Sequence, residues 1–336
     1  MEYFLFVLCG LFLLGYTAIG CFHDASNAVA VPVSARALTP RVALIVCAAF
    51  NVVGLVVGSV TLSLTSDQWL TIPHDDVGLA VLTAALLTVI LWEIFTWWRR
   101  SPSSSTNALI GGVFGGLWAT NQVGLGNHLH LGLTMVGDVI LPLVLAPLVA
   151  FGVAWAVVIP LVRLLQHTSP RQIHRRSRYV LSLSTSLISL GHGIYFGHRS
   201  LVIGTLMWLS IGRDISTPQT TLLCALLALM MAVGTLLGSW RIGHTFTDRL
   251  VALDPFRGAV AQAVTSVLIF GTGAVARDPF SSSHLAASAV LGAGSNQRFH
   301  AVRANTAFRL VVTWVVTIPV TVVVSAIFFL ALSPLL

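Results

Sequence analysis

Apolar residues run almost unbroken through windows at 3–20, 42–63, 78–98, 134–165, 218–240, 258–276 and 305–334. Each approaches or exceeds the roughly 20 residues that a helix needs to cross the hydrocarbon core of a bilayer. Barrel strands would instead read as ~10-residue segments of alternating polarity. Backbone groups in hydrocarbon must be satisfied within each segment, so continuous apolar runs predict helices. Stretches at 105–121, 180–212 and 282–297, with more Gly and Ser, are expected to complete the crossings. The pattern predicts an all-α polytopic membrane protein.

Composition sharpens that reading. Of 336 residues, 56% are hydrophobic and 9% charged, with a mean hydropathy of +0.90. A soluble domain carries about 25% charged residues. The first window carries Glu2 instead of a basic start and has no small-residue cleavage pattern, so it is expected to be a retained helix. Cys9, Cys21, Cys47 and Cys224 lie in or beside apolar windows without metal-type spacing, and are expected to be small core residues.

The net charge is +7, and all the basic residues are arginines. They concentrate in short segments: Arg36 and Arg41; Arg99 and Arg100; Arg171, Arg175, Arg176 and Arg178; Arg241 and Arg249; Arg298 and Arg303. Such clustering fits the positive-inside rule better than nucleic-acid binding, and no nucleic-acid partner is expected. The segment 64–77 holds Asp67, Asp75 and Asp76 with no basic residue, and should face out. Counting crossings from these assignments puts both termini outside a plasma membrane. It also gives two halves that enter from opposite sides, 1–165 and 180–336, divided by a basic cytoplasmic loop at 166–179. Pro102-Ser103-Ser104-Ser105-Thr106-Asn107 in the first half matches Pro279-Phe280-Ser281-Ser282-Ser283-His284 in the second, and a Gly-rich run follows each. The expected fold is two inverted-topology repeats with broken first helices and re-entrant serine-rich hairpins.

Polar residues inside apolar runs mark candidate chemistry. His23-Asp24-Ala25-Ser26-Asn27 places a carboxylate and an amide within a spanning segment. An intramembrane acid is costly unless paired or hydrated. Asp24 and Asn27 offer hard oxygen ligands for Na⁺, or a site for H⁺. The serine clusters offer hydroxyls at helix N-termini, where free N–H groups and the positive end of the dipole suit an oxyanion. Glu93, Gln262, His192 and Arg199 are further polar groups in apolar surroundings. Arg199 either reaches an interface or stands as a fixed cation facing an anion. Most Trp and Phe residues are expected to be lipid-facing anchors.

At these residues the sequence resembles the inorganic phosphate transporter (PiT) family. Gly20 to Ala30, followed by Ser34-Ala35-Arg36-Ala37-Leu38-Thr39, is similar to the family's G-x-x-N-D-x-x-N-A…S-x-A-L-T signature. Trp92 to Trp98 with Pro102 to Gly112 resembles its second element. Trp240-Arg241-Ile242, Leu253-Asp254-Pro255 and Gly258 resemble its connecting loop, Pro279 to His284 its second hairpin, and Val302-Arg303 with Trp314 to Pro319 its closing helix. The resemblance implies phosphate uptake coupled to Na⁺ or H⁺. It places cations at Asp24 and Asn27, and phosphate at Ser104, Ser105, Thr106, Ser281, Ser282 and Ser283; a homodimer is a further implication. His23 stands where the family has Asn, Asn107 where it has His, and Glu93 where it has Asn. The second half keeps His192 and Gly193, then departs with Ile194, Tyr195, Phe196 and Arg199. The lost groups are oxygen ligands, so the second cation site is expected to be absent, with Arg199 near its place. His23, Glu93, Asn107, His192, Gln262 and His284 remain possible contributors.

Three functions fit: a cation-coupled phosphate transporter with alternating access, a transporter of another oxyanion such as sulfate, or a non-transporting regulatory membrane protein of the same fold. No nucleophile–base spacing or P-loop points to an enzyme, and no cofactor beyond a coupling ion is expected.

Overall fold

A computed structural model of the chain describes residues 2–62, 70–126, 141–238, 240–275, 280–297 and 302–336. Asp67, Pro279 and Arg298, used in the sequence reading, lie outside the described residues. The helices are α1 Glu2–Ser34, α2 Pro40–Thr61, α3 Asp76–Trp98, α4 Ser105–Gln122 and α5 Leu141–Leu164. They continue as α6 Pro170–His192, a π-helical turn Gly193–Gly197, α7 His198–Ser210, α8 Thr217–Leu237 and α9 Trp240–His244. A second π-helical turn, Thr245–Leu250, precedes α10 Pro255–Val275, α11 Ser282–Ser295 and α12 Ala304–Leu332.

Seven helical segments of the described residues are long and apolar enough to cross a membrane: α1, α2, α3, α5, the run from Pro170 to Ser210, α8 and α12. The stretches 105–121, 258–276 and 282–297, expected to cross, are not among them. At 14 residues, α11 is about 21 Å long against a core of about 30 Å, and α10 carries Gln262, Thr265 and Ser266 on a buried face. Together these helices make a polytopic all-α membrane protein.

Three expectations need correction. The first helix does not break at His23–Asn27: α1 is continuous through Ser34. In the second half the expected break is a π-helical turn at Gly193–Gly197, which adds a residue to the turn without ending the helix. The basic loop at 166–179 is helical from Pro170, whose fixed φ suits a first helical position, and Arg241 and Arg249 likewise sit on helical turns.

Packing follows one pattern in both halves. α1 packs on α3, and α6 on α10. α4 lies on α3 and on α12, the last helix of the other half; α11 lies on α10 and on α5. In lipid, helix association depends on close packing rather than on hydrophobic transfer, and small residues permit it. Gly111 and Gly115 of α4 face the backbone of α12 at Ile318 and Val322, where a Cβ would collide. Gly193 meets the backbone of Asn51 on α2 in the same way. The outer faces of α2, α5, α8 and α12 expose large apolar side chains such as Val60, Leu148, Leu222 and Val315, as lipid requires. Cys9, Cys21 and Cys47 are buried and Cys224 half-buried, all unpaired. Aromatic residues divide: Trp98, Trp118 and Trp155 are exposed, whereas Phe196, Phe246 and Phe329 are packed inside.

Candidate functional site

The two serine tips are built alike. Ser104 (φ −116°, ψ 114°) caps α4, and its Oγ accepts from the Asn107 N–H at 3.1 Å. Ser281 (φ −105°, ψ 111°) caps α11, and its Oγ accepts from the His284 N–H at 3.2 Å. Each cap satisfies one of the orphan donors at its helix start. Ser104 and Ser281 are thereby committed to their own backbone. The next two residues, Ser105 and Thr106 on α4 and Ser282 and Ser283 on α11, present hydroxyls at helix N-termini.

Both tips converge on Asp24 of α1, which is 6% exposed. Ser283 Oγ donates to Asp24 Oδ1 at 2.7 Å. Ser105 Oγ and Ser282 Oγ approach Oδ2 at 3.4 and 3.5 Å. His192 Nε2 lies 3.4 Å from Oδ2 and His23 Nδ1 3.5 Å from Oδ1. Asn27, one turn on, donates from Nδ2 to Ser283 Oγ at 2.9 Å. Gln262 of α10 donates to the Asn27 carbonyl at 3.1 Å and so fixes that turn.

Arg199 comes from the opposite side. Its Nη1 donates to Thr106 Oγ1 at 2.9 Å, and Thr106 Oγ1 in turn donates to the Phe280 carbonyl at 3.2 Å, tying one tip to the other. It therefore does not snorkel to an interface. Asp24, Ser105, Thr106, His192, Tyr195, Phe196, Arg199, Phe280 and Ser282 line a shared cavity. The cavity is small, about 20 Å³, room for a water rather than for a tetrahedral oxyanion. Phe196 stacks on His192 with centroids 4.9 Å apart and planes at 12°. Tyr195 meets Phe280 edge-on at 5.1 Å.

The structure thus brings together Asp24, Asn27, His23, His192, Ser105, Thr106, Ser282, Ser283 and Arg199. Ser104, Ser281 and Asn107 serve the caps. His284 turns away from the cavity onto the Trp314 ring, 4.1 Å between centroids. Glu93, on α3, lies behind the α4 tip. Sequence reasoning missed Asn51 and Thr96, and gave Ser103 no role apart from its serine cluster. Asn51 Oδ1 sits 3.2 Å from His192 Nδ1, and its Nδ2 donates to Thr235 at 2.9 Å. Thr96 and Ser103 both lie 3.3 Å from His23 Nε2. A lone Asn within the apolar window 42–63 was the available signal for the first of these.

A model described as the phosphate transporter family matches residues 20–175 and 163–325. A probable low-affinity inorganic phosphate transporter of Bacillus subtilis (strain 168) is 30% identical over 332 residues, 98% of this chain and 96% of its own length. One from Rhizobium meliloti (strain 1021) is 31% identical over 329 residues, covering 95% and 96%. A solved structure titled the sodium-dependent phosphate transporter shares the fold, with a TM-score of 0.78 at 16% identity, covering 99% of this chain and all of that one. Matched along most of its length by the family model and by full-length relatives, the chain belongs to the phosphate transporter family.

Proposed function

We propose that this protein moves inorganic phosphate across the plasma membrane, coupled to Na⁺ or H⁺. Phosphate would sit between the tips of α4 and α11. The observation that carries this reading is the pairing of two serine-capped helix N-termini across one cavity, with an arginine hydrogen-bonded to one of them. Helix N-termini and hydroxyls supply donors to an oxyanion, and a guanidinium can grip it bidentately. Ser105, Thr106, Ser282, Ser283 and Arg199 are the proposed phosphate ligands. Asp24, Asn27 and the Ser283 hydroxyl offer oxygens to a coupling cation, which would also offset the repulsion between Asp24 and the substrate.

The cavity is too small for phosphate as it stands, so the tips must part. The shared packing pattern supports two inverted repeats, 1–165 and 180–336, that rock against each other in alternating access, with both termini outside. A homodimer fits the exposed apolar faces no better than lipid does.

The test is radiolabelled phosphate uptake into proteoliposomes under imposed Na⁺ and pH gradients, with arsenate and sulfate as competitors. Gradient-driven uptake that arsenate blocks and sulfate does not is the expected result. Equal competition by sulfate would make this a general oxyanion transporter. Absence of uptake by folded protein would point to a non-transporting role.

A further inference from the structure

Glu93 is the buried acid that the phosphate site leaves unused. It is 0% exposed, and neither carboxylate oxygen has a hydrogen-bond partner among the described residues. Asp24, by contrast, gathers hydroxyl and imidazole groups on both oxygens. The surroundings of Glu93 explain the isolation. Asp24, Tyr16 and Cys21 of α1 lie within electrostatic range of it. From α4 the neutral Ser105 approaches it. Arg199 of α7 stands against Tyr16, and Arg241 of α9 lies over the Trp97 ring instead. Arg309, the charged residue on α12, is exposed.

An ionised carboxylate shut away from water, with no hydrogen bond made to it, is strongly disfavoured. The neutral acid is not. Ser105, on the α4 tip, connects the two acids: it approaches Glu93, and its Oγ reaches Asp24 Oδ2 at 3.4 Å. When the tips part for phosphate to enter, the first turn of α4 must move, and water then reaches this pocket.

We propose that Glu93 carries a coupling proton, at a site separate from Asp24 and Asn27. Its Oε takes a proton from water on the side where the tips are open, forming the neutral acid. The closed arrangement holds that O–H bond, and the proton returns to water when the pocket opens on the other side. One proton then crosses with each phosphate through this site. The inference rests on the phosphate-transport reading and names a coupling ion for it.

The full chain in proteoliposomes tests this. With the membrane potential clamped, one coupled proton lets a gradient of one pH unit drive about tenfold accumulation of phosphate. Glu93→Gln copies the neutral acid and cannot release a proton. It is expected to keep phosphate–phosphate exchange at equal pH within about threefold of the parent, and to lose accumulation driven by a pH gradient. Comparing the two proteins at one pH removes the contribution of the proton that phosphate itself carries. Glu93→Asp keeps a carboxyl and is expected to retain pH-driven accumulation at a lower rate. The proposal is overturned if Glu93→Gln accumulates phosphate under a pH gradient as the parent does, if only Na⁺ drives the parent, or if both variants lose exchange. A parent that exchanges no phosphate would sink the transport reading itself.

Discussion

The two halves each send one helix to the tip of the other, and they send opposite charges. α1 of the first half delivers Asp24 and Asn27, which bind Ser283 on the second tip. The helical run of the second half delivers Arg199, which binds Thr106 on the first tip. Ser283 and Thr106 occupy equivalent places, two residues past matching serine caps. What differs is the group each meets: a carboxylate that can accept a cation, or a guanidinium that cannot be deprotonated. Around Arg199 stand Phe196 and Tyr195, whose rings stack on His192 and meet Phe280. One half brings an acid to the opposite tip; the other brings a fixed cation.

That contrast can be broken from either side. The largest effect is expected at Asp24. Asp24→Ala leaves two histidines and several hydroxyls facing an empty place, and losing one member of a buried charged set costs about 3–5 kcal/mol. Phosphate uptake in proteoliposomes should fall by about 100-fold or more. Arg199→Gln comes next. Charge-assisted hydrogen bonds contribute about 1.5–3 kcal/mol, so the KM for phosphate should rise by roughly 10- to 100-fold. Arg199→Lys, lacking the planar fork, should recover only part of the loss.

The serines give finer resolution. Ser283 links Asp24 and Asn27 at 2.7 and 2.9 Å, whereas Ser282 only approaches Asp24 at 3.5 Å. Ser283→Ala should therefore slow uptake by about tenfold, and Ser282→Ala by no more than about threefold. Equal losses would show that phosphate, not Asp24, is the main partner of both. Smallest is Asn51→Ala, which frees His192 and Thr235 without touching the cavity. Uptake measured at saturating phosphate should fall less than about twofold.

Much of this was legible in the sequence. Apolar windows marked α2, α3, α8 and α12 to within about three residues, because lipid leaves one option for a spanning backbone. The paired Pro-Ser runs located both tips, and Asp24 stood out by its cost. The continuous α1 was not legible: Asp24 and Asn27 read as a break, yet their side chains are satisfied by the α11 tip 256 residues away, so the helix need not open. Nor was the π-helical turn at Gly193–Gly197, which packs against the backbone of Asn51 on α2. The division of labour among the serines was hidden for a similar reason. Adjacent serines look equivalent in a string, and cap geometry alone separates Ser104 and Ser281 from the pairs that follow.

The most direct measurement is an experimental structure of the protein with phosphate bound. The expected result is a tetrahedral anion between the N-termini of α4 and α11, held by Ser105, Thr106, Ser282 and Ser283, with the Arg199 guanidinium turned onto it. An anion bound elsewhere, or Arg199 still held on Thr106 and away from it, would contradict the proposed site.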